Sequence, residues 1–379
     1  MVVPLDEFPI HQAPLSMAYF ATSDRNVYDR CILHCYQRDG ERQLIAGLGV
    51  YPHLGVIDGF VTLRIGGRQL VVRASDALGV DRMTQAVGPL RIEVVEPLEK
   101  LRLVCQDTGL GLACDLTFRA SSPAHDEPRH ITRSGAQTVL NAQRFIQMGD
   151  WSGTIHADGE EIRVNASSWV GARDRSWGVR PVGESLPRDA PTAPGITGGG
   201  HWHIWVPLRF TDFTIFVIVQ ELADGTRILN EAVRIWPAST GRPPEQLGWP
   251  DIEIIYRPGT RHPESAVLHL MQRGQRPVKV ELKTLGYIPL HVGAGYGGDP
   301  TWSHGSWKGA GWTEAQEYDY NDPELAARIP FGVLDHVAVA TFTGSDGIKV
   351  KGYGVFEHGT FGRHDPSGFL TYEDVWSAE

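Results

Sequence analysis

Pairs of short segments with alternating apolar and polar residues are joined by tight glycine turns, and this pattern restricts the chain to antiparallel strands. The clearest pair is residues 61–65 and 68–73, separated by Gly66 and Gly67. Alternation is typical of a half-buried strand, and a two-glycine connection is typical of a β-hairpin. The same pattern joins residues 151–155 to 161–164 and residues 214–222 to 226–235.

Similar segments continue along the chain, and helix signals are few. The 43 glycines and 25 prolines fall mostly between the segments, where turns require them. One short helix is predicted where Asp322 can cap the first turn and Pro323 can take the first helical position. Many short strands at this spacing are typical of sandwiches and barrels, so we predict an all-β fold with few short helices. The further strand-like segments are residues 101–106, 112–118, 251–256, 278–285, 337–343 and 348–356.

A segment rich in proline and glycine interrupts the strand pattern near the middle of the chain. Residues 185–200 contain three prolines and four glycines, which is the composition of a linker. A chain of 379 residues is also longer than one core of ordinary size requires. We therefore predict two barrel-like halves, residues 1–184 and 201–379, joined by the linker 185–200.

The composition argues against several kinds of partner. The formal net charge is −10 and no cluster of Lys and Arg stands out, so nucleic acid is not expected to bind. No apolar run is long enough for a membrane span, and the first residues do not resemble a secretory signal. We therefore expect a cytoplasmic protein without membrane insertion, and the sequence leaves open whether it forms a homodimer.

The first candidate site motif places an acid between two arginines. Asp174 lies between Arg173 and Arg175, and Trp177 follows closely. In a structural interpretation, an ion pair with a flanking arginine lowers the pKa of Asp174, and the two arginines favour this interpretation. In a functional interpretation, an apolar surround keeps the carboxyl protonated, so that it can act as an acid.

A second motif places two histidines on one face of a predicted strand. His201, His203 and Trp205 alternate along the chain and so share a face. Two histidines at this spacing can chelate a metal ion if a third ligand approaches. No third ligand is identifiable, so we expect no metal and favour a hydrogen-bonded histidine pair at the polar end of a cavity. The third ligands considered are His291, His304 and Glu317.

Two further segments concentrate chemical groups. Residues 293–320 place aromatic and titratable side chains among glycines, which fits a ligand-binding loop and, equally, a hairpin whose aromatics plug a barrel end. Glu357 and His358 are an acid and a base in sequence, but neighbours on a strand point to opposite faces. Only one of them can therefore reach a cavity, and a closing strand is the favoured interpretation.

These motifs together resemble a bacterial family of actinobacteria and proteobacteria that is largely of unknown function. The pattern is also similar to the wider superfamily of carotenoid 1,2-hydratases and AttH-like proteins. This resemblance, from about residue 28 to 369, implies two lipocalin-like β-barrels packed together and, in some members, hydration or cyclisation at carbon–carbon double bonds. It carries over no catalytic residue, and Arg175 stands where the family pattern often has histidine. The stretches that carry it include Arg173-Asp174-Arg175-Ser176-Trp177-Gly178, Trp302-Ser303-His304-Gly305-Ser306-Trp307 and Gly352-Tyr353-Gly354-Val355-Phe356-Glu357.

We therefore predict acid–base chemistry at a C=C bond of a hydrophobic isoprenoid, steroid or polyketide-like molecule, without a cofactor. The reaction would be hydration, dehydration, isomerisation or cyclisation. Asp174 is the candidate acid, and His304 or His203 would position water or accept the proton. All 11 tryptophans follow residue 150, so most of the cavity wall is expected from the second half and the segment before the linker. The candidate substrate-contacting residues are Trp177, His201, Trp202, Tyr296, Trp302, Trp307 and Glu317.

Two other functions fit the same residues. A carrier would bind a hydrophobic ligand and release it unchanged, since a cavity lined with aromatics needs no catalysis to be useful. Carbohydrate processing would use tryptophans to stack on sugars, but the pair of carboxylates that such enzymes need is not identifiable in the sequence.

Overall fold

The alternating segments form antiparallel strands. The computed structural model describes residues 1–134, 136–183, 200–271, 274, 276–297 and 299–377. In the first half the strands are β1 (Val27–Gln37), β2 (Arg42–Tyr51), β3 (Val56–Ile65), β4 (Arg68–Ala77), β5 (Ala86–Val87), β6 (Leu90–Glu96), β7 (Lys100–Cys105), β8 (Leu112–Ala120), β9 (His125–Asp126), β10 (His130–Ser134), β11 (Gln137–Ala157), β12 (Glu160–Val164) and β13 (Trp169–Val179). In the second half they are β14 (Gly200–Arg209), β15 (Thr214–Leu222), β16 (Arg227–Ile235), β17 (Glu245–Gln246), β18 (Trp249–Tyr256), β19 (Pro263–Met271), β20 (Val278–Pro289), β21 (Trp312–Asp319), β22 (Leu334–Thr343) and β23 (Lys349–Gly362).

Helical structure is sparse in these ranges. The α-helix α1 (Pro323–Arg328) begins after Asp322, whose side chain accepts hydrogen bonds from the backbone N–H groups of Glu324 and Leu325. This is the predicted cap. No helix of the described ranges combines the length and the apolar character that crossing a bilayer requires. The short 3-10 helices are Pro4–Glu7, Ala238–Thr240, Ile329–Phe331 and Asp365–Ser367.

The strands assemble into two curled antiparallel sheets. The first has the order β21-β4-β3-β2-β1-β13-β11-β8-β7-β6-β5, with β9, β10 and β12 also paired to β11. The second has the order β17-β16-β15-β14-β23-β22-β20-β19-β18. The predicted all-β architecture of two antiparallel barrel-like sheets with few short helices is confirmed. All three predicted hairpins are present, as β3–β4, β11–β12 and β15–β16.

One strand crosses between the halves of the chain. Strand β21 belongs to the second half in sequence but pairs along its whole length with β4 of the first sheet. Residues 185–199 of the predicted linker lie outside the described residues, so the boundary at 185–200 stays a prediction. The pairing of β21 means that the first sheet is completed by residues far beyond that boundary.

Strand alternation divides each sheet into an inner and an outer face. In β1, Cys31, Leu33 and Cys35 belong to the core inside the first sheet, while Arg30 and His34 face the second sheet. In β14 the residues at even positions, such as Trp202, enter the core of the second sheet, whereas those at odd positions face the first. The two outer faces therefore pack against each other, and the space between them holds the candidate site.

Candidate functional site

A cavity of about 390 Å³ lies between the outer faces of the two sheets. Strands β1, β11 and β13 of the first sheet form one wall, which we call the floor. Strands β14, β15, β16 and β23 of the second sheet form the opposite wall, which we call the roof. The lining residues are Tyr28, Arg30, Ile32, His34, His130, Thr132, Leu140, Ala142, Arg144, Asp174, Ser176, Arg180, His201, His203, Trp205, Gln220, Ile228, Tyr296, Val333, Glu357 and Phe361.

Asp174 lies near the middle of the floor. It is directly opposite Ile32 on β1 and Ile146 on β11. The next row of floor residues along the strands contains Arg30 and Arg144. Residues two apart on a strand share a face and are about 7 Å apart, so the carboxyl lies between apolar neighbours and next to a basic row.

Neither flanking arginine forms an ion pair with Asp174. Arg173 donates from Nε to Gln147 Oε1 at 2.8 Å, and Arg175 pairs through Nη2 with Asp29 Oδ1 at 2.9 Å. Asp174 is half-buried, and its Oδ1 is enclosed without a hydrogen-bond partner among the described residues. Burial raises the pKa of Asp174, although attraction from His34 and then Arg30 opposes the rise. The carboxyl is therefore biased towards its protonated form.

A histidine–carboxylate pair faces Asp174 from the roof. His203 Nε2 lies 3.2 Å from Glu357 Oε1. Burial would raise the pKa of Glu357, but the hydrogen bond and charge of His203 outweigh it, and the pKa is lowered. Glu357 lines the cavity while its neighbour His358 bonds to the backbone of β14, so only one of the two reaches the cavity, as predicted. His201 lies beside His203, with 5.5 Å between the ring centroids.

A second such pair joins the floor to strand β22 of the second sheet. His34 Nε2 on β1 lies 2.9 Å from Asp335 Oδ2 on β22. Burial alone would lower the pKa of His34, but the charge of Asp335 overcomes it and the pKa is raised. Neither residue was among the predicted site residues. The signal for this pair was the polar positions Arg30 and His34, which alternate with Cys31, Leu33 and Cys35 on β1.

Arginine and tyrosine side chains line another part of the cavity. Arg30 Nη2 donates to Tyr296 Oη at 3.4 Å, and its Cζ lies 4.8 Å from the Tyr296 ring centroid. Arg180 lies over the Tyr28 ring with its Cζ 5.5 Å from the centroid. Arg144 is 3.6 Å from Glu127, whose other oxygen accepts a hydrogen bond from Trp205 Nε1 at 3.0 Å.

Comparison with known proteins gives a family but no activity. Residues 2–370 match a family of unknown function, DUF8625. The chain belongs to DUF8625. No curated protein matches it.

Solved structures show the fold that this DUF8625 protein shares. A protein assigned as AttH from Nitrosomonas europaea is 13% identical with a TM-score of 0.51, and the match covers 93% of this chain and 98% of that one. Kievitone hydratase from Nectria haematococca is also 13% identical with a TM-score of 0.51, and the match covers 87% and 88% of the two chains. At this identity the likeness concerns the fold alone. The match to DUF8625 confirms the predicted family of unknown function, and the AttH-like structures confirm the predicted resemblance in fold, with two lipocalin-like barrels.

The cavity of the DUF8625 protein brings together Asp174, His201, His203 and Tyr296 of the predicted site residues. His304 lies behind Tyr296, with ring centroids 5.2 Å apart, and is not a lining residue. Burial, followed by repulsion from Arg30, holds the pKa of His304 well below its usual range.

The predicted aromatic wall is mostly elsewhere. Trp302 is buried beside His304, and Trp202 stacks on His364 inside the second sheet. Trp177 and Trp307 are 39% and 50% exposed, and Glu317 pairs with Arg68 at the surface. The lining tryptophan is Trp205. The second half and the segment before the linker contribute lining residues as predicted, and strands β1, β10 and β11 of the first half contribute others. Among the described residues, no three His, Cys, Asp or Glu side chains come close enough to hold a metal ion.

Proposed function

We propose that this DUF8625 protein is an enzyme that transfers protons at a carbon–carbon double bond of a mainly apolar small molecule. The observation that carries the proposal is Asp174, a carboxyl with a raised pKa on the wall of a cavity and without an ion pair to its flanking arginines. A carboxylic acid kept neutral by its surroundings can donate a proton near neutral pH.

The cavity suits such a substrate. Its volume of about 390 Å³ lies within the roughly 300–1,000 Å³ of small-molecule sites. Several lining side chains are apolar and can exclude water from the reacting bond. These are Ile32, Leu140, Ala142, Trp205, Ile228, Val333 and Phe361.

The roof supplies the group that accepts a proton. Glu357, with its lowered pKa, is ionised at neutral pH, and His203 bonded to it can pass a proton to it or receive one. In a hydration, the Asp174 proton forms a C–H bond at one alkene carbon and a water oxygen bonds to the other. The His203–Glu357 pair takes a proton from that water and releases it to solvent, and solvent returns a proton to Asp174.

The same groups serve related reactions. Loss of a proton from another carbon in place of water addition gives isomerisation or ring closure, and reversal of the hydration gives dehydration. A structural relative named as a hydratase agrees with this reaction class. His203 keeps its predicted role in this proposal, whereas His304 lies too deep to contact a molecule in the cavity.

The first test uses Asp174→Asn. Wild type and variant are incubated in D₂O with terpenoid and steroid olefins and a lipophilic extract, and mass spectrometry measures deuterium bound to carbon. A positioned acid contributes about 10²–10⁴-fold, so we expect the variant to lose at least 100-fold of the exchange or product formation.

The control for that test is Asp107→Asn, which changes an exposed turn residue that does not line the cavity. Both variants are checked for an unchanged circular dichroism spectrum. Turnover of Asp174→Asn within a few-fold of wild type removes Asp174 from the mechanism.

A carrier function is the second candidate, and the many apolar lining residues favour it. A carrier returns its ligand without deuterium, and one compound would co-purify unchanged with wild type and Asp174→Asn alike. That outcome would make Asp174 a buried structural acid.

A further inference from the structure

Three guanidinium groups line the cavity, and two of them have no acid partner among the residues that the structure describes. Arg144 has Glu127 at 3.6 Å. In the described parts of the chain, neither Arg30 nor Arg180 has a carboxylate within 4.0 Å. Arg30 is 3% exposed, and its Nε has no hydrogen-bond partner among those residues.

The two cations differ in the empty protein: burial opposes the charge of Arg30, but Tyr296 and other neighbours outweigh burial and raise its pKa, whereas the charge of Arg180 is not compensated in this way. Burying a charge is costly unless a partner of opposite sign and hydrogen bonds compensate it. Arg180 Cζ lies 5.5 Å from the ring centroid of Tyr28, and Tyr28 is two residues from Arg30 on the same face of β1, so both guanidinium groups lie in the same part of the cavity. Burial, and then repulsion from Arg30, lowers the pKa of Arg180. A ligand oxygen that carries negative charge would compensate the Arg180 cation and could accept a hydrogen bond from Arg30, whose Nε lacks a partner among the described residues.

We infer, building on the proposed function, that the substrate's double bond is conjugated to a carboxylate or carbonyl group whose oxygen is bound by Arg30 and Arg180. Guanidinium groups present several N–H donors in a planar fork that matches a carboxylate. Tyr296 Oη accepts from Arg30 and can donate its own O–H to the same ligand oxygen.

The charge of the cavity also determines which reaction intermediate, a carbocation or an enolate, would be stabilised there. A carbocation formed beside two guanidinium groups would be repelled by them, whereas an enolate oxygen would be stabilised by donors already in place. Arg30 lies in the floor row adjacent to Asp174, which suits a conjugated system with the oxygen at the arginines and a carbon at the acid.

The steps then balance as a conjugate addition. Water bonds to the β-carbon, its proton goes to the His203–Glu357 pair, and the π electrons move to the carbonyl oxygen beside Arg30 and Arg180. The electrons return as the α-carbon takes the proton of Asp174. The His203–Glu357 pair then releases its proton to solvent, and solvent reprotonates Asp174. Isomerisation follows the same path when a γ-proton of the substrate, rather than a proton of water, is removed.

The test measures binding, so it does not depend on turnover. Isothermal titration compares trans-cinnamate with cinnamyl alcohol, which has the same skeleton without the charge. Wild type should bind cinnamate at least 10-fold more tightly than the alcohol. Arg30→Gln and Arg180→Gln should each reduce that preference at least 5-fold, whereas Asp174→Asn should retain it.

Arg91→Gln is the matched control, because Arg91 pairs with Glu93 on the surface and should leave the preference unchanged. Arg180 is half-buried, so Arg180→Gln is expected to disturb folding less than Arg30→Gln. If Arg30→Gln does not fold, the binding preference of Arg180→Gln tests the inference. Equal binding of the two probes by wild type, no binding of cinnamate at millimolar concentration, or an unchanged preference in the folded arginine variants overturns the inference. A proton-transfer enzyme that prefers isolated alkenes would overturn it while leaving the proposed function intact.

Discussion

At the scale of single residues, a buried acid with a raised pKa can also hold a loop in place. Asp58 on β3 is fully buried, and its Oδ2 accepts a hydrogen bond from the Gly305 N–H at 2.6 Å. Burial raises the pKa of Asp58 to about 7, against the opposing effect of that hydrogen bond. Asp58 thereby fixes the segment that carries Tyr296 to the cavity.

This carboxyl makes stability depend on pH. Its pKa is raised above the unfolded value of about 3.9, so the folded state binds the extra proton between about pH 4 and 7. Stability therefore falls as pH rises through that window. We expect Asp58→Asn, which keeps an oxygen for Gly305, to show a smaller fall in denaturant midpoint between pH 4.5 and 7.5 than wild type.

Glu127, whose pKa burial also raises to about 7, leaves part of the pH dependence in that variant. Asp107→Asn serves again as the exposed control and should follow wild type. A slope for Asp58→Asn as steep as that of wild type would show that Asp58 is not the titrating group.

The flanking arginines of Asp174 show why single residues are hard to interpret from sequence. Arg173 and Arg175 suggested an ion pair because they are neighbours in the chain. On a strand, however, residues one apart point to opposite faces, so both arginines lie on the other side of β13 and find Gln147 and Asp29 instead. The same rule correctly predicted that His201 and His203 share a face.

At the scale of elements, local sequence signals were sufficient to predict the hairpins but not to predict the strand pairing of β21. The β3–β4 hairpin depends on two glycines between its strands, and α1 on Asp322 and Pro323, so both were predictable. Strand β21 pairs with β4 about 240 residues earlier, and no turn sets its register. Its neighbouring glycine-rich segment therefore favoured a binding loop or a barrel plug.

Arg73 on β4 forms ion pairs that stabilise the pairing of β21 with β4. Its side chain is fully buried and pairs with Asp299 at 3.1 Å and with Glu314 of β21. Removing one partner of a buried ion pair costs about 3–5 kcal/mol because the other charge is left uncompensated. We expect Arg73→Met to lower the free energy of unfolding by about that amount in urea denaturation.

Arg68, on the same strand, is the matched control. It pairs with Glu317 of β21, but it is 46% exposed, and exposed pairs contribute little. Arg68→Met should therefore leave the free energy of unfolding almost unchanged. Equal effects of the two substitutions would mean that β21 is held by its backbone ladder rather than by Arg73.

At the scale of the whole molecule, the site is a product of how the two sheets pack. Residues of both outer faces share one apolar cluster beside the cavity, including Tyr36, Ile146, Trp205 and Phe216. The sequence placed the tryptophans after residue 150, but it could not show which face of each strand meets the other sheet. The expected wall of tryptophans was therefore replaced by a cavity rich in arginine, histidine and carboxyl groups.

This packing predicts that the first half does not fold alone. A fragment of residues 1–183 lacks β21 and exposes the outer-face cluster, and such patches and open edges promote aggregation. We expect it to be insoluble or oligomeric by size-exclusion chromatography, and co-expression with residues 200–379 to restore a soluble complex. A monomeric fragment with a cooperative thermal transition would contradict this and would support an independent domain.

Because β21 lies so late in the chain, it also determines when the first sheet can be completed during translation. Strand β4 leaves the exit tunnel about 240 residues before β21, which at about 5–20 residues per second corresponds to roughly 10–50 s of translation. Throughout that interval, the edge of β4 and the charge of Arg73 lack the partners that β21 brings. The first sheet of the nascent chain therefore stays incomplete until most of the polypeptide has been synthesised.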